Sequence, residues 1–546
     1  MENKIIGSPW GRLLMALSGT AYAVLLMQTA SEISFAVTGI LALAVMLFLV
    51  FRTRFLEEIF RPRQAGIYIV AAVLALTALY TAKSTFYTNC NGWLTKVFAW
   101  LHLPGQGILL RLTPWVAALI SFPMAWGYFI WFVDFMWGFG QHFWKTSDFV
   151  ERMFLLWAGI FFGALIVMTF MCTQAFYGAH INGHWYNFDL IYSSDSGYLV
   201  HQDVFRNVGA SQNDLRQPLY GVFSMPFAQV AWLISRVLFF LPEAYVTVLQ
   251  IMQMFLYLVA VVLMARMMEL RSLEKVLFLL MLCVTYPVLI FALSAEQYLM
   301  AVFYLILLIY LRREKVGGSI SYIAATGSML TTGIFFPLVT WDRRFLVFAK
   351  NTMKLCAAFF VVMILSGRLT TFLDIGTYIA GYAPYAGGDV EPISKLMQFI
   401  NFVGACLIAP ASHVDFETYS HVSWQMYPVK EWQFLGFVVL GIAILGILVK
   451  PRAVFSKICA VWMAFSFLLL GLIGWGTIDN GLMLYTLYFG WAYVAMCYQF
   501  VDRILEKWYP VKLAVLVVLI GTILMVNVMA LKDVLVFATQ FFPALR

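Results

Sequence analysis

Residues 177–218 gather the groups best able to do chemistry: Asp189, Asp195, Asp203 and Asp214, interleaved with His184, His201, Arg206 and Arg216. Carboxylates move protons, and one held partly out of water has its pKa raised toward a useful range for that work. An Arg guanidinium presents a fork that matches phosphate oxygens. Trp185, Tyr186, Phe188, Tyr192, Tyr198 and Phe205 lie among these residues. That is too many aromatics for a solvated linker, so the stretch reads as a folded loop that builds a site. Plainer uses compete. Ser194 and Asp195 precede a helix expected over residues 196–206, where Asp is a favoured N-cap. Asp189 and Asp203 read first as solvated loop residues. The two histidines lack regular ligand spacing and read as hydrogen-bonded or aromatic-packing residues before zinc ligands.

The elements that position this loop are membrane helices. Residues 153–175, just upstream, are strongly apolar and long enough, at 1.5 Å per residue, to cross a ~30 Å hydrocarbon core. Over all 546 residues, 63% are hydrophobic and 11% charged, against roughly 25% charged in soluble domains. The mean hydropathy of +0.86 agrees. Apolar runs are continuous over helix lengths instead of alternating, which argues against a β-barrel. The expected fold is therefore all-α, a polytopic bundle of about 13 to 16 transmembrane helices with two extracytoplasmic loop regions. No removable signal peptide is read at the start. The formal charge of +8 reports topology, since Lys and Arg concentrate on cytoplasmic loops, and a nucleic-acid partner is not expected. The seven cysteines show no metal-binding spacing and read as packing residues.

In chain order, residues 1–150 form an N-terminal region of roughly four spans. Arg52, Arg54, Arg61 and Arg63 place its first basic loop, and the N-terminus, in the cytoplasm. Residues 67–82 read as a span and 89–103 as a short interfacial helix. Residues 151–375 form a membrane core that includes the loop at 177–217. Within it, residues 219–240 read as a partial insertion, and Glu296 lies at an outer turn before a helix ending in Arg312 and Arg313. Glu296 either offers a second carboxylate or caps that helix. Residues 320–341 are too short for two spans and read as a helical hairpin at membrane depth, tolerable only where protein or a wet cavity surrounds it. A second external region, 376–432, carries Asp389 and Glu391, and residues 433–546 close the chain with further membrane helices.

Tyr192-Ser193-Ser194-Asp195-Ser196-Gly197-Tyr198, followed by Arg216-Gln217-Pro218-Leu219, resembles the first external loop of the C-type (GT-C) membrane glycosyltransferases. There an apolar helix leads to an acidic residue a few positions before a Tyr, and a basic-x-Pro-Leu element opens the next helix. Two departures stand out: Ser196 occupies the place of a frequent second acidic residue, and some 150 residues precede the helix that ordinarily comes first.

The resemblance implies a hexosyl- or pentosyltransferase of a bacterial plasma membrane. It would move a sugar from a polyprenyl-phosphate donor to a cell-envelope glycan, lipid or protein. Asp195 would be the general base, with Tyr198, Arg216, Glu296 and Arg368 binding substrate. For Arg216 and Arg368 the competing reading is snorkelling to lipid head groups. No cofactor is firmly implied and a divalent cation stays open, although no Asp-x-Asp is present. A transporter or flippase of lipid-linked sugars is the alternative from another class, expected to show repeat symmetry and midplane charges. A polysaccharide polymerase is the third.

The topology has a direct test. In intact cells, a single cysteine at position 185 should react with an impermeant maleimide, while cysteines within 52–63, 312–315 and 502–512 should react only after permeabilisation. The opposite pattern reverses the assignment.

Overall fold

The computed structural model describes residues 8–544 apart from 28–31, 104, 179, 182–183, 186–189, 193, 209–214, 370–374, 389, 417–421, 427–429 and 478–481. Asp189, Asp214 and Asp389 fall outside the described residues. The helices are, in order, α1 Pro9–Leu25, α2 Glu32–Arg52, α3 Phe55–Ile59, α4 Ala65–Trp100, α5 Gln106–Thr146, α6 Phe149–Cys172 and α7 Ser196–His201. Next come α8 Tyr220–Val237, α9 Ala244–Met268, α10 Ser272–Cys283, α11 Tyr286–Leu293, α12 Tyr298–Arg313, α13 Ser319–Ser328, α14 Phe336–Thr340 and α15 Phe345–Leu365. The chain closes with α16 Ile375–Tyr382, α17 Pro392–Ala405, α18 Lys430–Val449, α19 Val454–Ser466, α20 Met483–Ile504 and α21 Tyr509–Phe541. Two short antiparallel pairs interrupt them: β1 His180–Ile181 with β2 His184–Trp185, and β3 Ser412–Asp415 with β4 Ser423–Met426.

The protein is an all-α, multi-pass membrane protein. Among the described residues eight helices are long and apolar enough to cross a membrane, or nine if the bent pair α10–α11 is one span. Most of them expose apolar side chains, as α15 does at Leu346 (81% exposed) and α5 at Leu119 (75%), and surface of that kind is stable only in lipid; α9 instead is largely buried. The number is below the 13 to 16 spans expected. The difference lies in helices lined by protein: α12 has 16 residues and α17 has 14, and α20 is buried along most of its length. A helix shielded by its neighbours needs neither full bilayer length nor a uniformly apolar surface.

The chain forms two compact units, each discontinuous in sequence. The first comprises residues 1–147, 202–234 and 311–376, and the second 148–201, 235–310 and 377–546. In the first unit α4 runs unbroken from Ala65 to Trp100, so the expected span and interfacial helix are one element. No proline stops it, and its hydroxyls at Thr81, Thr88 and Thr95 turn back onto carbonyls four residues earlier, which satisfies polar groups without unwinding the helix. Two prolines, Pro114 and Pro123, lie inside α5. Beside the second of them, Met124 N–H donates to Ser18 Oγ at 3.1 Å, so a side chain of α1 supplies an acceptor where proline disturbs the helix ladder.

In the second unit charged residues from five helices, α6, α9, α10, α20 and α21, meet at one end. The Asp148 and Glu151 side chains make a capping box at the start of α6. Lys275 Nζ donates to Asp148 Oδ2 at 2.5 Å and to Glu151 Oε1 at 2.9 Å, and Arg266 donates to Glu151 Oε2 at 2.7 Å. Lys512 bridges Glu274 and Asp502, the latter at 2.8 Å. The loops at 266–275 and 502–512 therefore share one end of this unit.

Burial raises the pKa of Asp148. The Lys275 hydrogen bond, the Glu151 N–H and the charges of Lys275 and Arg266 outweigh that effect and hold the carboxyl below its usual range. A depressed carboxylate contributes stability above its unfolded pKa of about 3.9 and loses it as pH falls through the folded value. Asp148→Asn should accordingly melt below wild type at pH 7, and the gap between the two melting temperatures should close as pH is lowered past about 4. A gap independent of pH contradicts the charge assignment.

Candidate functional site

The second unit brings three of the five expected site residues to one short segment. At the C-terminal end of α6, Thr173 turns to an extended conformation. Its hydroxyl donates to the Ala538 and Phe542 carbonyls at 2.8 and 2.6 Å, and Gln174 N–H donates to Phe542 O at 3.1 Å. This end of α6 is thus tied to the end of α21. The chain then runs between two partners. Phe176 O accepts from Ala295 N–H at 3.1 Å on one side. On the other, Gly178 lies against Gly197 of α7: a Cβ at 178 would stand 3.1 Å from Gly197 Cα, and the φ of +107° there also calls for glycine.

Asp195 and Tyr198 flank Gly197, and Glu296 follows Ala295, so segment 176–178 has a carboxylate-bearing element on each side. Asp195 is half-buried. Its carbonyl accepts from Leu199 N–H at 2.9 Å, which puts it in the N-cap position of α7. Tyr198 follows within one turn. Among the described residues its buried hydroxyl has no hydrogen-bond partner, and burial, with the nearby Asp195 charge, raises the phenol to about 12. Glu296 is 2% exposed. At the start of α12 its Oε2 accepts from Gln297 N–H at 3.4 Å, and the Gln297 carbonyl accepts from Ala301 N–H at 3.1 Å. The Gln297 amide and the Ser294 hydroxyl, both buried, have no side-chain partner among the described residues.

Residues 412–426 pack onto the segment at 190–192. Trp424 N–H of β4 donates to Leu190 O, and Tyr192 N–H donates to Trp424 O, both at 2.8 Å. The Tyr192 hydroxyl lies 2.6 Å from Tyr286 Oη and 2.9 Å from Ser412 Oγ, and it accepts from Trp424 Nε1 at 3.1 Å. Tyr192 opens the motif noticed in the sequence, but its role as a buried junction of three chain segments depends on contacts far apart in the chain.

Arg216 and Arg368 belong to the first unit. Residues 319–340 make the expected short hairpin: α13, an extended Met329, a 3₁₀ turn over Leu330–Phe335, and α14. At the break, Leu219 N–H donates to Gly327 O and Leu330 N–H donates to Arg216 O, each at 2.8 Å. The Arg216–Leu219 element thus satisfies backbone groups that the break would otherwise strand. Arg368 is 2% exposed. Its Nε donates to Pro218 O and its Nη1 to Val208 O, both at 3.3 Å. It is oriented by a left-handed Gly367 (φ +68°), where a Cβ would meet Ala23 O at 2.4 Å. Snorkelling to head groups is excluded for so buried a side chain.

The helix expected over 196–206 stops at His201. Asp203 takes φ +51°, off the helical path, and its carboxylate pairs with Arg206 at 2.7 Å. Arg206 also stacks over Trp232 at 5.3 Å. Among the described residues no group of three His, Cys, Asp or Glu side chains is placed to hold a metal ion.

The buried clamp yields a prediction. Hydrogen bonds from a charged donor contribute about 1.5–3 kcal/mol each, so Arg368→Met should lower unfolding stability in detergent by about 3 kcal/mol. Arg368→Lys should recover little, because an ammonium cannot reproduce a fork spanning two carbonyls. Wild-type melting of Arg368→Lys contradicts the clamp.

No protein-family model, curated protein or solved structure matches the chain.

Proposed function

We propose that the protein is a membrane glycosyltransferase of the C-type superfamily, built on a larger helix bundle than the long apolar spans alone define. In this reading it moves a sugar from a polyprenyl-phosphate donor to a cell-envelope glycan, lipid or protein on the extracytoplasmic face. The observation that carries the reading is that the elements bearing Asp195 and Tyr198 and bearing Glu296 both pack against segment 176–178, through Gly197 and Ala295. It supports a site where an acceptor hydroxyl meets a carboxylate next to a buried phenol.

In the proposed step, the Asp195 carboxylate takes the proton of the acceptor hydroxyl as its oxygen bonds to the anomeric carbon. The bond from that carbon to the phosphate oxygen breaks, and polyprenyl phosphate leaves with the electron pair. Glu296 orients the acceptor or the sugar through its hydroxyls. Tyr198 donates its phenolic hydrogen bond to substrate, a role compatible with a raised pKa, since the phenol stays protonated at neutral pH. The resemblance gives the leaving phosphate to Arg216, a residue of the first unit. Arg368, occupied by two carbonyls, supports this segment from behind.

With the protein in lipid nanodiscs and a panel of polyprenyl-phosphate sugars, Asp195→Asn should keep donor binding and lose roughly 10²- to 10⁴-fold in turnover. Asp203→Asn, whose partner is Arg206, should retain most activity. An Asp195→Asn protein turning over near the wild-type rate returns Asp195 to a capping role. Donor-dependent movement of the lipid-linked sugar without glycosidic product selects the flippase instead.

A further inference from the structure

Within the first unit lies a cavity of about 570 Å³ that the proposed reaction does not use, inside the range of about 300–1,000 Å³ typical of small-molecule sites. Its walls come from α1, α3, α5, α8, α13 and α15 and are apolar, including Leu26, Met124, Trp131, Phe223, Ile323 and Val362. Its charged lining residues are Glu58, Arg61, Arg63 and Asp134, and three of these belong to the loop that the basic-residue bias places in the cytoplasm. The cavity is elongated. Met124 and Phe135 both line it, and at 1.5 Å per residue their separation along α5 is about 16 Å. Half of a ~30 Å hydrocarbon core is about 15 Å, so the cavity has the depth of one leaflet.

The charges at its mouth divide into one fixed pair and one adjustable group. Arg63 donates to Asp134 Oδ2 at 2.7 Å and to the carbonyls of Ile59, Arg61 and Glu58 at 2.6 to 3.0 Å. Its donors and the Asp134 charge are thereby engaged. Arg61 stands 3.7 Å from Asp134 with a side chain 64% exposed. It can turn to an incoming phosphate at little cost, since exposed ion pairs at that distance contribute little. Glu58, also exposed, leaves room for a head group that carries a cation beside its phosphate.

We propose that this cavity holds one phospholipid of the cytoplasmic leaflet, its acyl chain between α1, α5 and α15 and its phosphate on Arg61. The leaflet-length depth and the cytoplasmic position of the charged rim favour a phospholipid over a longer isoprenoid carrier. The proposal stands apart from the transferase reading, and its test does not measure glycosyl transfer.

The test is native mass spectrometry of the full chain, reconstituted in vesicles of phosphatidylethanolamine and phosphatidylglycerol and then released into mild detergent. Wild type should retain one phospholipid mass per chain. Val362→Trp, which fills the cavity, and Arg61→Glu, which reverses the head-group charge, should each reduce retention about tenfold, the equivalent of ~1.4 kcal/mol. Val362→Leu, which keeps the wall apolar, should retain the lipid and report that the wall tolerates substitution. Absence of a retained lipid in wild type overturns the proposal, as does retention by Val362→Trp or Arg61→Glu equal to wild type. A retained polyprenyl phosphate in place of a phospholipid overturns it as well.

Discussion

A buried backbone N–H or C=O has no water to turn to, and this constraint governs how the protein arranges the helix interruptions at α13–α14 and at Ser294–Gln297. The break between α13 and α14 is tolerated because the Arg216–Leu219 element lies across it and exchanges two hydrogen bonds with it. That element is in turn gripped from the other side by Arg368, which reaches carbonyls at Val208 and Pro218. The interruption at Ser294–Gln297 is handled in the same way, with Ala295 N–H given to Phe176 O. Both irregular segments thereby become rigid platforms. One carries Arg216, and the other carries Glu296 and is held by segment 176–178.

The charged residues obey the same economy. At the end of the second unit shared by residues 148–151 and 502–512, acids and bases neutralise one another in a connected network. Breaking one member of such a network leaves an uncompensated charge, which costs more than the pair contributes. At the other end of α6, Asp195 is half-buried and Glu296 almost wholly so. Polar groups concentrated there, including the Gln297 amide and the Tyr198 hydroxyl, are the kind of arrangement in which a substrate rather than the protein completes the hydrogen bonding.

Much of this was legible in the sequence. Apolar run lengths identified a helical membrane protein, basic residues marked the loops that cluster together, and the unusual polarity of residues 177–218 singled out the segment bearing Asp195 and Tyr198. The hairpin at 320–341 could be read from its length and its Thr-Gly pairs. Other features depended on contacts between distant residues. Nothing local in Tyr192 indicates that its hydroxyl meets Tyr286, Ser412 and Trp424. Arg368 reads as a substrate-binding cation or as a head-group anchor, and its burial against the Pro218 and Val208 carbonyls has no local signal. The helix predicted through Arg206 stops at His201, and Asp203 just beyond it adopts a left-handed conformation. The 13 to 16 spans expected include helices such as α20, which is buried along most of its length and is not among the eight long apolar helices.

The central claim is that a lipid-linked sugar reaches the segment against which the elements bearing Asp195, Tyr198 and Glu296 pack. Its most direct measurement is photolabelling of the protein in native membranes with a polyprenyl-phosphate sugar carrying a diazirine on the sugar, followed by peptide mapping. The account predicts adducts within residues 176–178, 195–198 and 294–297, suppressed by unlabelled donor. Adducts confined to the basic loops at 52–63 or 502–512, or labelling indifferent to competing donor, would contradict it.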